Sequence, residues 1–388
     1  MASLPLRQYK DRDCQTAPVL GGGADGMSLV EWRDLADAAA ITEWDELALE
    51  ASEPNPFFES WNLLPALASL DQGRNARIAV FRSGGKLTGL MPLARSARYY
   101  GYPLPHWHNW LHHNCFCGLP LVTKGHETEF WAALLQTIDA RPGGALFLHL
   151  TRLPTGGPVH AALMETLDRQ PRPYAVVHSE QRAMLQSSKS PADYFAASMN
   201  GKKRKELRRQ YSRLSELGTL QFCRHLDDQG IDQWCEDFLD LELAGWKGRE
   251  GSALACEPGT ASFFRSALHG GAARGRAERL SLSLDGRPIA MLVNFLAPPG
   301  SYSFKTAFDE TYAQYSPGVL LQRENLDLLD RQGIDWCDSC ASADHPMIER
   351  IWRQKRTIQR VSIGIGGALR QSFVRQLLRA ESGRKVSA

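Results

Sequence analysis

The stretch from Leu280 to Cys340 restricts the fold more than any other part of this 388-residue chain. Leu280, Leu282 and Leu284 alternate with polar residues, Asp285-Gly286 is a two-residue hairpin turn, and Ile289 to Leu296 reads as the returning strand. After Pro298-Pro299-Gly300, Tyr302 and Phe304 alternate with Ser303 and Lys305, which predicts a third strand over Ser301 to Phe308. Ser316-Pro317-Gly318 opens a helix, with Ser316 as N-cap and Pro317 at the first helical position. Leu320, Leu321, Leu328 and Leu329 give it one apolar face, Gly333 ends it, and Ile334 to Cys337 starts another strand. At the start of such a helix the first N–H groups lack internal partners and the dipole is positive, so an anion is stabilised there.

The same order occurs earlier in the chain. Helical spacing at Trp44, Leu47 and Leu49 and at Phe57, Trp61, Leu64 and Leu67 precedes a hairpin that turns at Gly84-Gly85. A loop rich in Tyr, His and Trp follows at 99–118, then a helix from Glu127 to Ile138 and a strand from Ala145 to Leu150. A helix over Val159 to Leu167 and a strand over Tyr174 to His178 complete this half. In the second half, helices at Trp234 and Phe263-Phe264 precede the 280–296 hairpin, and a basic helix is expected from Trp352. These parallels predict a diverged duplication of one α/β unit. The boundaries read as a flexible tail over 1–26, a first domain over 27–186, a second over 187–365 and a basic amphipathic end over 366–388.

The combination of Gly286, Ile289-Ala290, Phe304-Lys305-Thr306, Phe308-Asp309, Tyr315 to Leu321 and Asp335 to Cys340 resembles the GNAT acyltransferases. More narrowly it resembles the CelD/BcsL-like group, related to the FemAB/FemX peptidyltransferases, with Trp246-Lys247-Gly248 and LRRQYSRLSELG adding to the match. The resemblance covers about Asp193 to Arg356. It implies an α/β fold with a mixed sheet and two tandem GNAT-like domains in a FemX-like arrangement. It also implies an acyl-CoA-dependent N-acyltransferase, with acetyl-CoA or another acyl-CoA as co-substrate and no metal. The acceptor would be a small-molecule amine, such as an amino sugar or an envelope precursor, held between the domains. The chain departs from the family in the pyrophosphate turn, where Gln314-Tyr315-Ser316-Pro317-Gly318-Val319 replaces a Q/R-x-x-G-x-G/A pattern. Two other readings compete: an aminoacyl-tRNA-dependent ligase, and a scaffold that has lost donor binding and serves as an interaction module.

Charge bears on the partner. The net charge is only +2, yet residues 350–388 hold ten Lys/Arg against one acid, and residues 201–213 hold seven against Glu206. The body left over is acidic, which argues against a tRNA partner. No apolar run reaches the length of a membrane span and the N-terminus lacks a signal-peptide core, so a cytoplasmic protein is expected. Leu369, Phe373, Val374, Leu377 and Leu378, flanked by Arg370, Arg375 and Arg379, form a basic amphipathic segment suited to docking on its own protein or to peripheral membrane contact. The eight Cys are scattered, and neither Cys115-x-Cys117 nor Cys337-x-x-Cys340 shows paired zinc knuckles, so free thiols are expected.

Acyl transfer to an amine needs a held donor, a base for the ammonium proton and a group that stabilises the oxyanion. Within the resemblance, Ser316, Gly318, Val319, Leu320 and Leu321 bind the donor. Asp309, Asp338 and His345 are the base candidates at or beyond strand ends, and Tyr315 is the candidate acid for the leaving thiolate. Lys203, Arg204, Arg208, Trp246 and Lys305 are the candidates for substrate binding. The cluster of His106, His108, His112 and His113 with Trp107 and Trp110 reads as a ring-stacking site or, more simply, a loop packed by its own aromatics.

Overall fold

The computed structural model describes residues 25–343 and 345–382. Residues 1–24, Asp344 and residues 383–388 lie outside the described residues, and with 1–24 goes most of the tail expected over 1–26. In the first half the strands are β1 (Gly26–Val30), β2 (Arg77–Ser83), β3 (Lys86–Ser96), β4 (His106–Asn109), β5 (Leu121–Val122), β6 (Phe147–Pro154) and β7 (Tyr174–Leu185). The second half contributes β8 (Leu220–His225), β9 (Ala277–Leu284), β10 (Arg287–Ala297), β11 (Gly300–Phe308), β12 (Trp336–Asp338) and β13 (Gln354–Gly364). The helices are α1 (Ala38–Glu50), α2 (Ser60–Leu70), α3 (Glu127–Ala140), α4 (Pro158–Arg169), α5 (Pro191–Ser198) and α6 (Gly201–Ser215). They continue as α7 (Ile231–Ala244), α8 (Trp246–Arg249), α9 (Pro258–Ala272), α10 (Pro317–Glu324) and α11 (Ala368–Ser382).

All strands join one mixed sheet in the order β1-β2-β3-β4-β6-β13-β7-β12-β11-β10-β9-β8, with β5 paired to β3. Read inward from both edges, the order is the same: three antiparallel pairings, then a parallel one, β4 with β6 and β11 with β12. Each half is therefore one copy of the same α/β unit. Both hairpins turn through two residues of positive φ, Gly84-Gly85 and Asp285-Gly286, the backbone that matches strand twist. Pro stands in the first turn of α4, α5, α9 and α10, where its missing N–H costs nothing.

The halves share a core. Phe57 meets Tyr302 edge-on at 5.3 Å, and Trp61 of α2 meets Phe295 of β10 at 5.1 Å. Gly271 lets α9 lie against Trp61, since a Cβ there would come within 3.0 Å of the indole.

Three local expectations are corrected. The basic helix expected from Trp352 is β13, whose β-branched Ile358, Val361 and Ile363 are buried between β6 and β7. The helix expected to run through Leu329 ends at Glu324 and continues as a 3-10 turn, Asn325–Asp330. Ser316 occupies the N-cap position, but at φ 55° its hydroxyl caps no N–H.

Candidate active site

β11 and β12 pair only at Gly300, Ser301 and Tyr302 and then part, because the chain leaves β12 at Asp338. Opposite Val293 and Asn294 of β10, β11 carries an extra residue, Phe304, so the strand bulges where its β12-side edge becomes free. A cleft of about 590 Å³ opens there. Ser303 to Thr306 of β11 form one wall, Ser316 to Val319 of α10 a second, Ser339 to Ser342 with His345 to Ile348 a third, and Phe116 and Trp246 close the sides. Splayed strands leave backbone groups unpaired and create a concave surface at strand ends, which is where α/β ligands sit.

The charged floor is built from α7 and α8. Glu242, 2% exposed, accepts from Lys247 Nζ at 2.7 Å and from the Leu254 N–H at 2.8 Å. Lys247 also donates to the Thr306 carbonyl at 3.1 Å, fixing the free edge of β11. Lys305 lies 3.9 Å from Glu242, and burial lowers its pKa from 10.5 to about 8, the carboxylate opposing and Lys247 reinforcing the shift. His345 faces the same cleft. Its Nδ1 is buried without a partner, and burial, then the charge of Lys247, lowers its pKa, so the imidazole is neutral at pH 7.

At α10, Pro317 has no N–H, and the Val319 and Leu320 N–H groups both return to the Ser316 carbonyl at 3.0 Å. Among the described residues this leaves the Gly318 N–H as the backbone donor of the first turn without a backbone acceptor. Gly318 also faces Met347 Sδ and Phe308, each 3.3 Å from where a Cβ would stand. A side pocket of about 180 Å³ continues outward past Ser316 and Val319 to Lys203, Gln210 and Arg350.

The fold thus brings Trp246, Lys305, Ser316, Gly318, Val319 and His345 together, with Lys203 at the outer mouth. Other sequence candidates lie elsewhere. Leu320 and Leu321 are 1% exposed and pack in the core. Asp309 caps the 3-10 turn Glu310–Tyr315 through the Thr311 N–H, and Tyr315 packs beside the apolar face of α6. Arg204 is half-buried on α6 and Arg208 is exposed there, and neither lines the cleft. Asp338 is fully buried behind the cleft, where it accepts from the Cys340 N–H at 2.8 Å and pairs with Arg182 and Arg356 at 3.4 and 3.5 Å. His106 stacks on Phe147 and touches Tyr99, so that part of the aromatic loop is packing, while His112 and His113 line a separate cavity. Lys247, Glu242, Phe116 and Met347 escaped the sequence reading. Only Lys247 carried a signal, through its place beside Trp246. Among the described residues no group of three or more His, Cys, Asp or Glu could hold a metal ion.

The cleft thus lies where a mixed sheet parts beside a bulged strand, with a helix N-terminus across the gap. The family model described as acetyltransferase (GNAT) domain matches residues 201–346. The solved structure of FemX is similar over 87% of this chain and 98% of its own, with TM-score 0.56 at 11% identity. A conserved protein of unknown function from Bacteroides thetaiotaomicron VPI-5482 is similar over 83% of this chain and 97% of its own, with TM-score 0.53 at 12% identity. No curated protein matches the chain. No described helix is long and apolar enough to cross a membrane.

Proposed function

We propose that the cleft transfers an acyl group from acyl-CoA to the amine of a small acceptor. The observation that carries this reading is the opening between β11 and β12 leading to the N-terminal turn of α10 in a segment of GNAT type. Ser316 to Val319 would hold the pyrophosphate, with the Gly318 N–H as backbone donor and Lys203 and Arg350 as charges at the mouth. Three first-turn N–H groups would bind it more strongly than one, so a larger share of donor affinity falls to these side chains. The amine nitrogen attacks the thioester carbonyl carbon, the C–S bond breaks, and the thiolate leaves. His345, neutral and facing the cleft, takes the proton from the amine, and that proton returns to the thiolate or to solvent. The cationic fraction of Lys305 beside the bulge stabilises the oxyanion of the intermediate.

Calorimetric titration with acetyl-CoA tests this directly. Wild type binds, and Gly318→Trp, whose indole must enter the space between Met347 and Phe308, loses at least ~10-fold in affinity. Absence of binding by acetyl-CoA and by longer acyl-CoAs would overturn the reading. A ligase that draws on aminoacyl-tRNA is the second reading, favoured by the exposed Lys202, Lys203, Lys205 and Arg208 of α6. It requires tRNA binding that weakens steeply with salt.

A further inference from the structure

A second cavity, of about 400 Å³, is walled by residues 110–114, by Thr151 and Arg152 of β6, and by Glu257 and Thr260 at the start of α9. Arg152 is half-buried and is set up unlike other buried and half-buried arginines of the chain. Between Leu150 and Leu153, two residues of β6 stand against one of β13, so the strand bulges at this point. Arg152 has φ 55°, a left-handed conformation that costs a non-glycine residue energy and marks a position held for a reason. The bulge re-aims its side chain out of the alternation of the strand.

The guanidinium has half of a binding site. Nη1 donates to the His112 carbonyl at 3.1 Å and the His113 carbonyl at 3.5 Å. Among the described residues no carboxylate lies within ion-pair distance of it, and Nε and Nη2 have no hydrogen-bond partner. By contrast Arg172, Arg182, Arg224 and Arg331 each reach a carboxylate. Burial and the neighbouring charges of Arg182 and Arg360 lower the pKa of Arg152, as expected of a cation without a counter-ion. The free Nε–Nη2 edge is the geometry that takes carboxylate or phosphate bidentately. α9, fifteen residues long, turns its N-terminal end to the same cavity through Glu257 and Thr260, and its dipole adds to the positive potential.

The cavity is also next to the cleft. Arg152 stands 5.7 Å from the centroid of Phe116, and Phe116 stands 6.1 Å from Phe304 of the β11 bulge. One aromatic ring therefore lies between the free guanidinium and the place proposed for acyl transfer. The carboxylate of Glu257, exposed on the rim, makes no ion pair among the described residues and is suited to an ammonium group.

We propose that this cavity seats the anionic group, carboxylate or phosphate, of an amine-bearing acceptor, with the Nε–Nη2 edge of Arg152 as its anchor. The acceptor role rests on the acyl-transfer reading, and the anion binding does not. The test is calorimetric titration of the full chain with inorganic phosphate and, separately, with acetate. Wild type binds at least one of them, and the tighter of the two identifies the acceptor's anion. Arg152→Ala weakens that binding at least ~10-fold, and Arg152→Lys, which keeps the charge without the fork, gives an intermediate value. Acetyl-CoA affinity is unchanged in both. Glu257→Gln, at an exposed position, tightens anion binding by removing a repulsive charge and guards against a folding defect in the Arg152 variants. No binding by wild type, or affinities equal in wild type, Arg152→Ala and Glu257→Gln, would overturn the proposal. Phosphate binding through Arg152 without acetyl-CoA binding would instead sink acyl transfer and leave the anion pocket standing.

Discussion

Lys305→Met is expected to make the protein more stable at neutral pH while removing the cation proposed to stabilise the oxyanion. Lys305 has 12% of its side chain exposed, and its pKa in the folded protein is about 8 against 10.5 for the free side chain. That difference corresponds to roughly 3 kcal/mol, the cost of keeping the ammonium charged inside the cleft. Between pH 8 and 10.5 the unfolded chain binds more protons at this residue than the folded one, so wild-type stability rises with pH across that window. It is lost as pH falls through about 8, and below that both states are protonated and the penalty is constant. Methionine has a similar length and carries no charge to desolvate. Glu242 is not stranded, because Lys247 and the Leu254 N–H still hold it. The shift already contains the attraction of Glu242, and imperfect packing of the thioether in place of the ammonium leaves about 1–3 kcal/mol at pH 7. Urea unfolding of both proteins at pH 6, 7, 8, 9 and 10 reads the difference. The variant should lead below pH 8 and the two curves should converge toward pH 10. Parallel curves across the range, or a variant less stable than wild type at pH 7, would refute the argument.

His345→Ala should lower kcat by about 10²-fold with acetyl-CoA affinity intact, and wild-type kcat should hold on acidification until below the ordinary imidazole pKa of 6.5, because the folded pKa is lowered. Asp338→Ala strands Arg182 and Arg356 in the interior and should cost about 3–5 kcal/mol in urea unfolding, distinguishing a structural carboxylate from a catalytic one. Truncation after Gly367 removes the buried Val374 and Leu378 of α11 from Tyr99 and Phe147 and should lower Tm by several degrees. Peripheral membrane contact through Leu369 and Phe373, which are 91% and 52% exposed, predicts that only the full chain pellets with anionic liposomes at low salt.

Hairpins and helix starts were legible where a single residue's backbone chemistry decides them. Asp285-Gly286, Gly84-Gly85 and Pro317 each impose a local conformation that no distant contact has to supply. β13 was not legible in that way. Its Lys355, Arg356 and Arg360 read as a charged helix face, and only the two strands flanking it make an extended segment the better solution. The cleft was legible on one side. Ser316, Gly318 and Val319 follow from the strand–helix junction, but the turn of the helix sends Leu320 and Leu321 into the core, which a contiguous motif cannot convey. Glu242 reaches the site from a helix distant in sequence from β11, and Phe116 takes its place there only once the halves have packed. Asp309 and Asp338 share the strand-end position that suggested chemistry, yet one is a cap and the other a buried ion-pair partner. Local sequence does not distinguish these fates because both depend on what the carboxylate meets.

The place of β13 bears on how the chain comes into being. It is made after every other strand of the sheet, yet it fills the middle of that sheet, bonded on one side to β6 and on the other to β7. Until about residue 364 has emerged, both of those strands present open edges that invite pairing with the wrong neighbour. Domain-by-domain folding during synthesis, the usual route for long chains, is therefore closed to the first half. That half waits, partly assembled, for a strand supplied by the second, and its exposure to chaperones and to misassembly is set by the time taken to translate up to that strand.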